Sequence, residues 1–291
     1  MASRTVRLTI DFFVVAAIAA LVVLPWDMWF TSKISLSSMS LPPSWSHPFG
    51  TDNLGRDLLV RSSEALRYAV APLWGGVVVA TIGGLLAATG ALLMRASRAG
   101  HKAVAPLQIG ATILASVPIG IVAFTWAVWW ESGGLLPVLF SLMALFAVRV
   151  FLQTMDLFEQ DRKLGYWDAH SAMGGTVLTR IWRYGLCGTW KWRLLDGVGF
   201  HLRAAVAIEA SLSYLGFGIQ EPTASFGNML ASHFDSYLKG DFTSLIVIVV
   251  MLSLAAGFPA SLLSALNALR PNASRRSKRT TNLDSAPVAD F

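Results

Sequence analysis

The amino-acid sequence predicts an all-α, polytopic membrane protein with six transmembrane helices. Of its 291 residues, 54% are hydrophobic and only 14% are charged, against roughly 25% charged residues in soluble domains. Three segments contain no Asp, Glu, Lys or Arg, and each exceeds the roughly 20 residues that cross a bilayer as a helix. These segments are residues 70–94, 103–130 and 242–269. The basic residues cluster between the apolar segments, as they do in the loops of membrane proteins.

Three weaker apolar segments complete the predicted set of six. Residues 8–24 resemble a signal peptide in outline, but no small-residue cleavage site follows, which favours a retained helix. Residues 132–148 are free of charge and just long enough to span, with Arg149 reaching toward the headgroups. Residues 197–218 are the weakest candidate because they contain charged side chains, including Glu209.

The lysines and arginines predict the orientation. Most of the 23 basic residues fall in the N-terminal segment, the second and fourth connections and the C-terminal tail. All four lie on one side if six helices alternate, and the positive-inside rule places that side, with both termini, in the cytoplasm. The net charge of +6 is then explained by topology, and no nucleic-acid partner is predicted. The single cysteine and the scattered histidines predict no metal site.

The same pattern divides the chain into three parts. Residues 1–69 are predicted to hold the first helix and an outer loop with an amphipathic helix. Residues 70–270 form the transmembrane core, which includes a long inner loop at residues 153–196. Residues 271–291 are polar and without periodicity, and we expect a disordered cytoplasmic tail.

Two features inside the spans predict how helices pack. Small residues recur every four positions in the second span, which would let another helix approach closely. They are Gly76, Ala80, Gly84 and Ala88. In the third span Pro118 removes a backbone donor, so this helix is expected to kink there.

The first informative segment is residues 47–61, on the predicted outer side. Its Pro and Gly residues predict a turn, and Thr51 or Asp52 can cap a helix lying along the membrane surface. The glycines superficially imitate a phosphate-binding loop, but an acidic residue replaces its Ser or Thr and no strand precedes it, so nucleotide binding is rejected. The candidate residues of this motif are His47, Pro48, Gly50, Thr51, Asp52, Gly55, Arg56 and Asp57.

The second informative segment is the inner loop, which is long for a transmembrane connection and rich in Trp and Arg. Residues 164–173 and 176–184 can each form a short helix, separated by a glycine break. This element either docks a cytoplasmic partner or lies on lipid headgroups, and the spacing favours neither. Its candidate residues are Tyr166, Trp167, Asp168, Ala169, Ala172, Gly174, Gly175 and Arg180.

The third informative segment is residues 209–218, at the end of the fifth span. A carboxylate near the middle of a membrane is costly, so Glu209 is expected to face the bundle interior or a watery path. It is either a structural hydrogen-bond acceptor, the reading we favour slightly, or part of a translocation route. Ser213 follows one helical turn later and belongs to the same candidate set.

These segments together resemble the inner-membrane permease subunits of binding-protein-dependent ABC importers. The resemblance is to the second permease of the pair in the dipeptide, oligopeptide and nickel subfamily. Residues 47–61 match the pattern His-Pro-Phe-Gly-Thr-Asp-x-x-Gly-Arg-Asp-x-x-x-Arg, and residues 209–218 are similar to Glu-Ala-x-Leu-Ser-Phe-Leu-Gly-Leu-Gly. Residues 166–174 follow Tyr-x-x-Ala-x-x-Ala-x-Gly, although His170 stands where the family often has Ala.

The resemblance implies the type I ABC importer permease fold in a bacterial inner (plasma) membrane. It also implies the partners, namely a second homologous permease, two ATPase subunits, and a periplasmic or lipid-anchored solute-binding protein. ATP and magnesium would bind to the ATPases, so this chain would hold no cofactor and catalyse no reaction. Residues 164–184 would be the coupling helices. The expected substrate is a short peptide, or a metal such as nickel held by a small peptide-like chelator.

Two other functions are weighed against this one. The first is an exporter or an antimicrobial-peptide-resistance permease of the same subfamily. The second is a proton-coupled secondary carrier, for which Asp11 and Glu209 are the only acidic candidates within the spans. A membrane enzyme is less favoured, because no nucleophile, base and orienting group occur together in the sequence.

Overall fold

The computed structural model describes residues 2–28, 30, 33–95, 98–130, 134–163, 169–170, 172–238, 240 and 242–268. Within these ranges every regular element is a helix, and strand pairing is limited to an isolated bridge between Thr51 and Asp57. The all-α prediction is confirmed. The helices are α1 (Ala2–Val23), α2 (Leu58–Ala65), α3 (Ala71–Met94), α4 (Arg98–Ser116), α5 (Ile119–Trp129), α6 (Leu135–Arg162), α7 (Val177–Arg180), α8 (Trp190–Tyr214), α9 (Phe226–Leu238) and α10 (Thr243–Ala268).

Three helices are long and apolar enough to cross a membrane. They are Leu58–Met94, Leu135–Arg162 and Thr243–Leu263. A fourth span results if Lys102–Ser116 and Ile119–Trp129, two helices separated by a short break, are counted as one span. The chain is therefore a polytopic membrane protein. The apolar part of α1, Phe12–Val23, is shorter than these spans, so six transmembrane helices are not established by length and hydropathy among the described residues.

The outer surface of the bundle is apolar at membrane depth. Leu86 on α3 is 68% exposed, and large apolar side chains of α10 are similarly uncovered. A water-soluble monomer rarely leaves so much contiguous apolar surface open, whereas lipid tails cover it without cost. The side chains that form these two surfaces are Val78, Val79, Ile82 and Leu86 of α3, and Ile246, Val249 and Val250 of α10.

The stripe of small residues in α3 packs against α6, as predicted. Gly76 lies against the side chains of Leu139 and Met143, and Gly84 approaches Ala147 and Val150 so closely that an added Cβ would collide. All four members of the stripe are buried. The contact between these two helices is the most extensive in the bundle, so the small side chains set the distance between their backbones.

The third predicted span breaks at Pro118. Helix α4 ends at Ser116, Pro118 is the N-cap of α5, and the two helices meet at 82°. The predicted kink is thus confirmed as a complete break. Proline supplies no amide hydrogen and disfavours the helical conformation of the residue before it, which ends α4.

Two helices extend beyond their predicted bounds. Helix α2 continues through a π-helical turn, Leu66–Val70, directly into α3, and it is buried except for Glu64. It is therefore part of the second span, in place of the predicted separate helix with an exposed face. Helix α6 runs on to Arg162, so residues 153–162 of the region assigned to the inner loop are helical. Polar side chains at this end of α6 pair with neighbouring helices, which stabilises the helix beyond its apolar stretch.

The bundle has two distinct ends, which we name from the segments at each. The motif end carries the loop 33–57 and the connection 215–225, joined by ion pairs from Arg56 and Arg61 to Glu221. The glycine-turn end carries residues 169–189 and the ends of α3 and α6, which Arg95 and Glu159 join. Helices α3, α6 and α8 each run from one end of the bundle to the other.

Candidate functional site

The motif end begins with the predicted turn. Gly50 donates its backbone N–H to the carbonyl oxygen of His47 at 2.9 Å, with Pro48 inside the turn. Gly50 has φ +79°, and a Cβ there would lie 2.5 Å from the carbonyl oxygen of Leu41. Both the conformation and the space require glycine at this position. Gly55 closes a second turn by donating its N–H to the carbonyl oxygen of Asp52 at 3.0 Å.

Asp57, and neither Thr51 nor Asp52, caps the following helix. Its Oδ1 accepts from the N–H groups of Leu59 at 2.8 Å and Val60 at 3.2 Å, and its Oδ2 lies 2.9 Å from Nδ1 of His47. The cap therefore falls five or six residues later than expected. Thr51 instead holds the loop, since its hydroxyl donates to the carbonyl oxygen of Ser38 at 2.5 Å.

The charged residues of the motif form a cluster with an acidic residue far away in the sequence. Asp52 accepts from the backbone N–H of Arg56 at 2.8 Å and from its Nε at 2.6 Å. Arg56 also donates from Nη1 to Glu221 at 2.8 Å, and Arg61 donates from Nη2 to Glu221 at 2.7 Å. Arg61 is only 2% exposed. These four residues, Asp52, Arg56, Arg61 and Glu221, are called the charge cluster below.

Glu221 is the member of the charge cluster that the sequence did not indicate. Burial favours the neutral form of its carboxyl, but the hydrogen bonds and positive charges of Arg56 and Arg61 outweigh this and lower its pKa. Burial likewise disfavours the charge on Arg56, yet its hydrogen bonds to Glu221 and Asp52 raise its pKa. Arg56 and Glu221 are thus charged at neutral pH, and their ion pair ties the loop before α2 to the loop after α8.

We expect the melting temperature of the purified chain to fall in acid as Glu221 takes up a proton. Because folding lowers the pKa of Glu221, its ion pairs contribute their full stability above the ordinary value of 4.5. That contribution is lost as the pH falls through the lowered pKa. Melting curves from about pH 6 to about pH 3 measure it. The variant Glu221→Gln should lack this acid-dependent component, and an identical pH profile for both proteins would contradict the assignment.

Glu209 lies in the bundle interior with no exposed surface. The Ser213 hydroxyl donates to Oε1 of Glu209 at 2.7 Å and accepts from the backbone N–H of Ile219 at 2.8 Å. The Ser225 side chain lies near the same carboxyl, but Oε2 has no partner with hydrogen-bond geometry in the part of the chain that is described. The Glu209–Ser213 pair thus fastens α8 to the loop that folds back over its end. Whether Glu209 also lines a pathway stays a prediction.

The glycine-turn end shows the predicted order of helix, glycine break and helix. Ala169 and Ala172 are helical, and Gly174 follows with φ +76°. Thr176 then caps α7 by accepting from the N–H of Thr179 at 3.2 Å. Three further candidates, Tyr166, Trp167 and Asp168, lie outside the described residues. From α7 the chain continues through the π-helical segment Ile181–Thr189, which is kinked at Gly188 (φ −95°, ψ −126°), to the start of α8.

His170 holds this turn together. It is 8% exposed, its Nε2 lies 3.3 Å from the hydroxyl oxygen of Thr179, and its ring fills the space where Gly175 would carry a Cβ. The departure from the family pattern at this position therefore has a packing role. Around the turn, a cleft of about 780 Å³ is lined by Met173, Leu178, Trp182 and Arg183, among others.

The C-terminal end of α6 connects this turn to the bundle. Asp161 accepts from Nε1 of the buried Trp190 at 2.5 Å, at the first residue of α8. Gln160 accepts from Arg193 at 2.5 Å on the same helix, and Glu159 pairs with Arg95 just after α3. Three consecutive polar side chains of α6 thus reach the helices on both sides.

Comparison with known proteins agrees with the motifs. The chain is 31% identical over 212 residues to a Brucella suis protein assigned as a peptide permease, which covers 72% of this chain and 68% of that protein. A second Brucella suis protein, assigned as a peptide transport system permease, is 29% identical over 79% of this chain and 75% of its own length. A D,D-dipeptide transport system permease of Escherichia coli is 26% identical to this chain, over 69% of this chain and 65% of its own length. No protein-family model matches the chain.

Proposed function

We propose that this chain, which belongs to the family of peptide permease subunits of ABC transporters, forms a substrate pathway together with a second, homologous permease. The observation that carries the proposal is the 31% identity over 212 residues to an assigned peptide permease. The relatives are assigned to peptide or dipeptide transport, which supports a short peptide as the substrate ahead of nickel or another metal chelate. The exporter remains the alternative within the same family.

Six spans follow if α1 and α8 also cross the membrane. Helix α1 packs along α10, and α8 contacts α3, α6, α9 and α10. Helix α1 thus lies against two of the long apolar spans, α10 and Leu58–Met94, and α8 lies against all three. With six spans, the basic connections are cytoplasmic, and so are both termini. The motif end then faces the periplasm and the glycine-turn end faces the cytoplasm, in a bacterial inner membrane.

The glycine-turn end is the proposed docking surface for an ATPase subunit. Met173 is 75% exposed and Trp182 is 64% exposed, and they flank the cleft described above, with Arg183 also on its lining. A concave surface with apolar anchors and arginine at the rim suits a protein partner, since such side chains dominate interface energies. This shape supports docking over the lipid-headgroup interpretation. The two ATPases would bind ATP and magnesium, and this chain would form and break no bond.

The connections of the turn explain how a movement of the ATPases would reach the pathway. A shift of residues 169–189 would reach α8 through the chain itself, across a kink at Gly188 just before α8 begins. The hydrogen bond from Trp190 to Asp161 passes the shift to α6. Helices α6 and α8 are long rigid elements, so their tilt would alter access at the opposite end.

The motif end is the proposed surface for a periplasmic or lipid-anchored solute-binding protein. Apolar side chains of its loop are open to solvent, and Trp45 is fully exposed. The charge cluster fixes this loop to the body of the protein, so that the surface is preorganised for a partner. The exposed side chains of the loop are Ile34, Leu36, Met39, Leu41 and Trp45.

Co-purification of the cognate ATPase tests the docking surface. The double variant Leu178→Ala/Trp182→Ala should lose about tenfold or more of the ATPase bound per permease, because truncating a central aromatic anchor costs about 2 kcal/mol or more. Trp129→Ala is the matched control, since Trp129 is 73% exposed on α5 and lies outside the cleft. Equal ATPase recovery with both variants would contradict the proposal. Transport that persists without the ATPase would favour the secondary carrier.

A further inference from the structure

A charged cavity of about 630 Å³ lies between α4, α6 and α8, and its lining reaches Gln160 and Arg193 near the glycine-turn end. Its volume falls in the range of small-molecule sites. Charged and polar side chains from two long helices, α6 and α8, line it. The residues used below are Ala115 of α4, Arg149 and Asp156 of α6, and Arg193, Asp196 and His201 of α8.

The deep part of the cavity holds one histidine and one arginine, His201 and Arg149. His201 is 5% exposed and stacks on Phe146 with ring centroids 4.6 Å apart. Its Nδ1 has no hydrogen-bond partner among the described atoms, and the same holds for the buried Nε of Arg149. Arg149 donates from Nη2 to the carbonyl oxygen of Ala115 at 3.2 Å, near the end of α4. Both side chains thus keep donor capacity for an anion.

The opposite charge lies farther along the same cavity. Asp156 follows Arg149 by seven residues on α6, about 10 Å along a helix that rises 1.5 Å per residue. Asp156 and Asp196 are both exposed, so the carboxylates stand toward the open part. Arg193 lies there too and donates to Gln160, while Arg149 supplies the positive charge of the deep part. An extended tripeptide spans roughly 10 Å between its ends. The separation of charge therefore matches a short zwitterionic peptide.

We propose that this cavity is a binding station for the transported peptide. The carboxylate of the peptide binds Arg149 and His201, and its ammonium group binds Asp156 and Asp196. The station rests on the proposed function, because it assigns the peptide's two charged ends to side chains of the permease itself. A free C-terminus and a free N-terminus would then both be required of a good substrate.

Transport of three related peptides tests the station. In liposomes that contain the whole assembly, the wild type should prefer trialanine over trialanine amide by about tenfold in KM, the magnitude of one charge-assisted hydrogen bond. Arg149→Gln should abolish this preference, and Asp156→Asn/Asp196→Asn should abolish the preference over N-acetyl-trialanine. Arg162→Gln, at the end of the same helix but outside the cavity lining, is the control and should keep both preferences. A structural role of Arg149 at the end of α4 would affect all three peptides alike.

Thiol labelling gives a second measurement that leaves Arg149 in place. Ala115→Cys in a Cys187→Ser background puts one thiol in the cavity, and trialanine should slow its reaction with a charged reagent more than trialanine amide does. Equal labelling rates with both peptides would overturn the station, as would an unchanged preference in Arg149→Gln. ATP-dependent transport by the wild type with either result would leave the permease function intact. A wild-type assembly that transports no peptide would overturn the proposed function as well.

Discussion

Replacing Asp52 by alanine is expected to lower the stability of the chain more than any other change at the motif end. Asp52 is 2% exposed and accepts hydrogen bonds from Arg56 and from the N–H of Leu54. Without it, Arg56 and the buried Arg61 keep only Glu221 as a counter-charge among the described residues. Breaking a buried ion pair by removing one partner costs about 3–5 kcal/mol, which corresponds to a fall in melting temperature of roughly 10 °C.

The melting temperature of the purified permease, followed by tryptophan fluorescence, measures this loss. Asp52→Asn keeps an acceptor for the backbone N–H groups and removes only the charge, so a smaller fall is expected. Glu159→Gln serves as the control because it breaks an ion pair whose carboxylate is 44% exposed, and such pairs contribute about 1 kcal/mol or less. If Asp52→Ala and Glu159→Gln shifted the melting temperature equally, the charge cluster would not be a stabilising element.

The sequence predicted those features that depend on local composition. Uninterrupted apolar segments located α3, α6 and α10, and a four-residue spacing of small side chains located the face of α3 that meets α6. The break at Pro118 also followed from one residue, since proline acts on its own helix. Such signals need no knowledge of the rest of the fold.

Features that depend on distant contacts could not be predicted in this way. Glu221 lies 160 residues beyond Arg61, and nothing in its neighbourhood marks it as a partner for two arginines. The length of α6 was underestimated because hydropathy records only the apolar part of the helix, while Asp161 and Gln160 stabilise its end through α8. The cap at Asp57 was misplaced because Thr51 and Asp52 are equally good caps by residue type, and tertiary hydrogen bonds assign them elsewhere.

The position of Arg149 in the sequence was informative, but its surroundings in the fold depend on a distant contact. Its place after a charge-free segment suggested a side chain reaching toward the headgroups, at the end of the fourth span. Helix α6 continues beyond it to Arg162, so Arg149 lies near the middle of the helix, beside His201 in the cavity. The two residues are on different helices, and only the packing of α6 against α8 brings them together.

Replacing Gly174 by valine is expected to uncouple transport from ATP hydrolysis. Gly174 has φ +76° with no atom within 4 Å of a Cβ built there, so the new side chain would meet no collision. The cost is in the backbone, since a β-branched residue in this conformation is strained by about 1–3 kcal/mol. The turn would relax to another geometry and move Met173 relative to α7. The number of peptides transported per ATP hydrolysed should then fall by about tenfold, which corresponds to about 1.4 kcal/mol.

Two variants separate coupling from strain as such. Asparagine tolerates positive φ better than other residues, so Gly174→Asn should retain most of the coupling. Gly134→Val places the same side chain at φ +93°, again with open space around it, but at the motif end, where α6 begins. It should lower the melting temperature while leaving the ratio of transport to hydrolysis unchanged. A normal ratio in Gly174→Val would mean that the glycine turn does not transmit the movement of the ATPases, whatever binds to its surface.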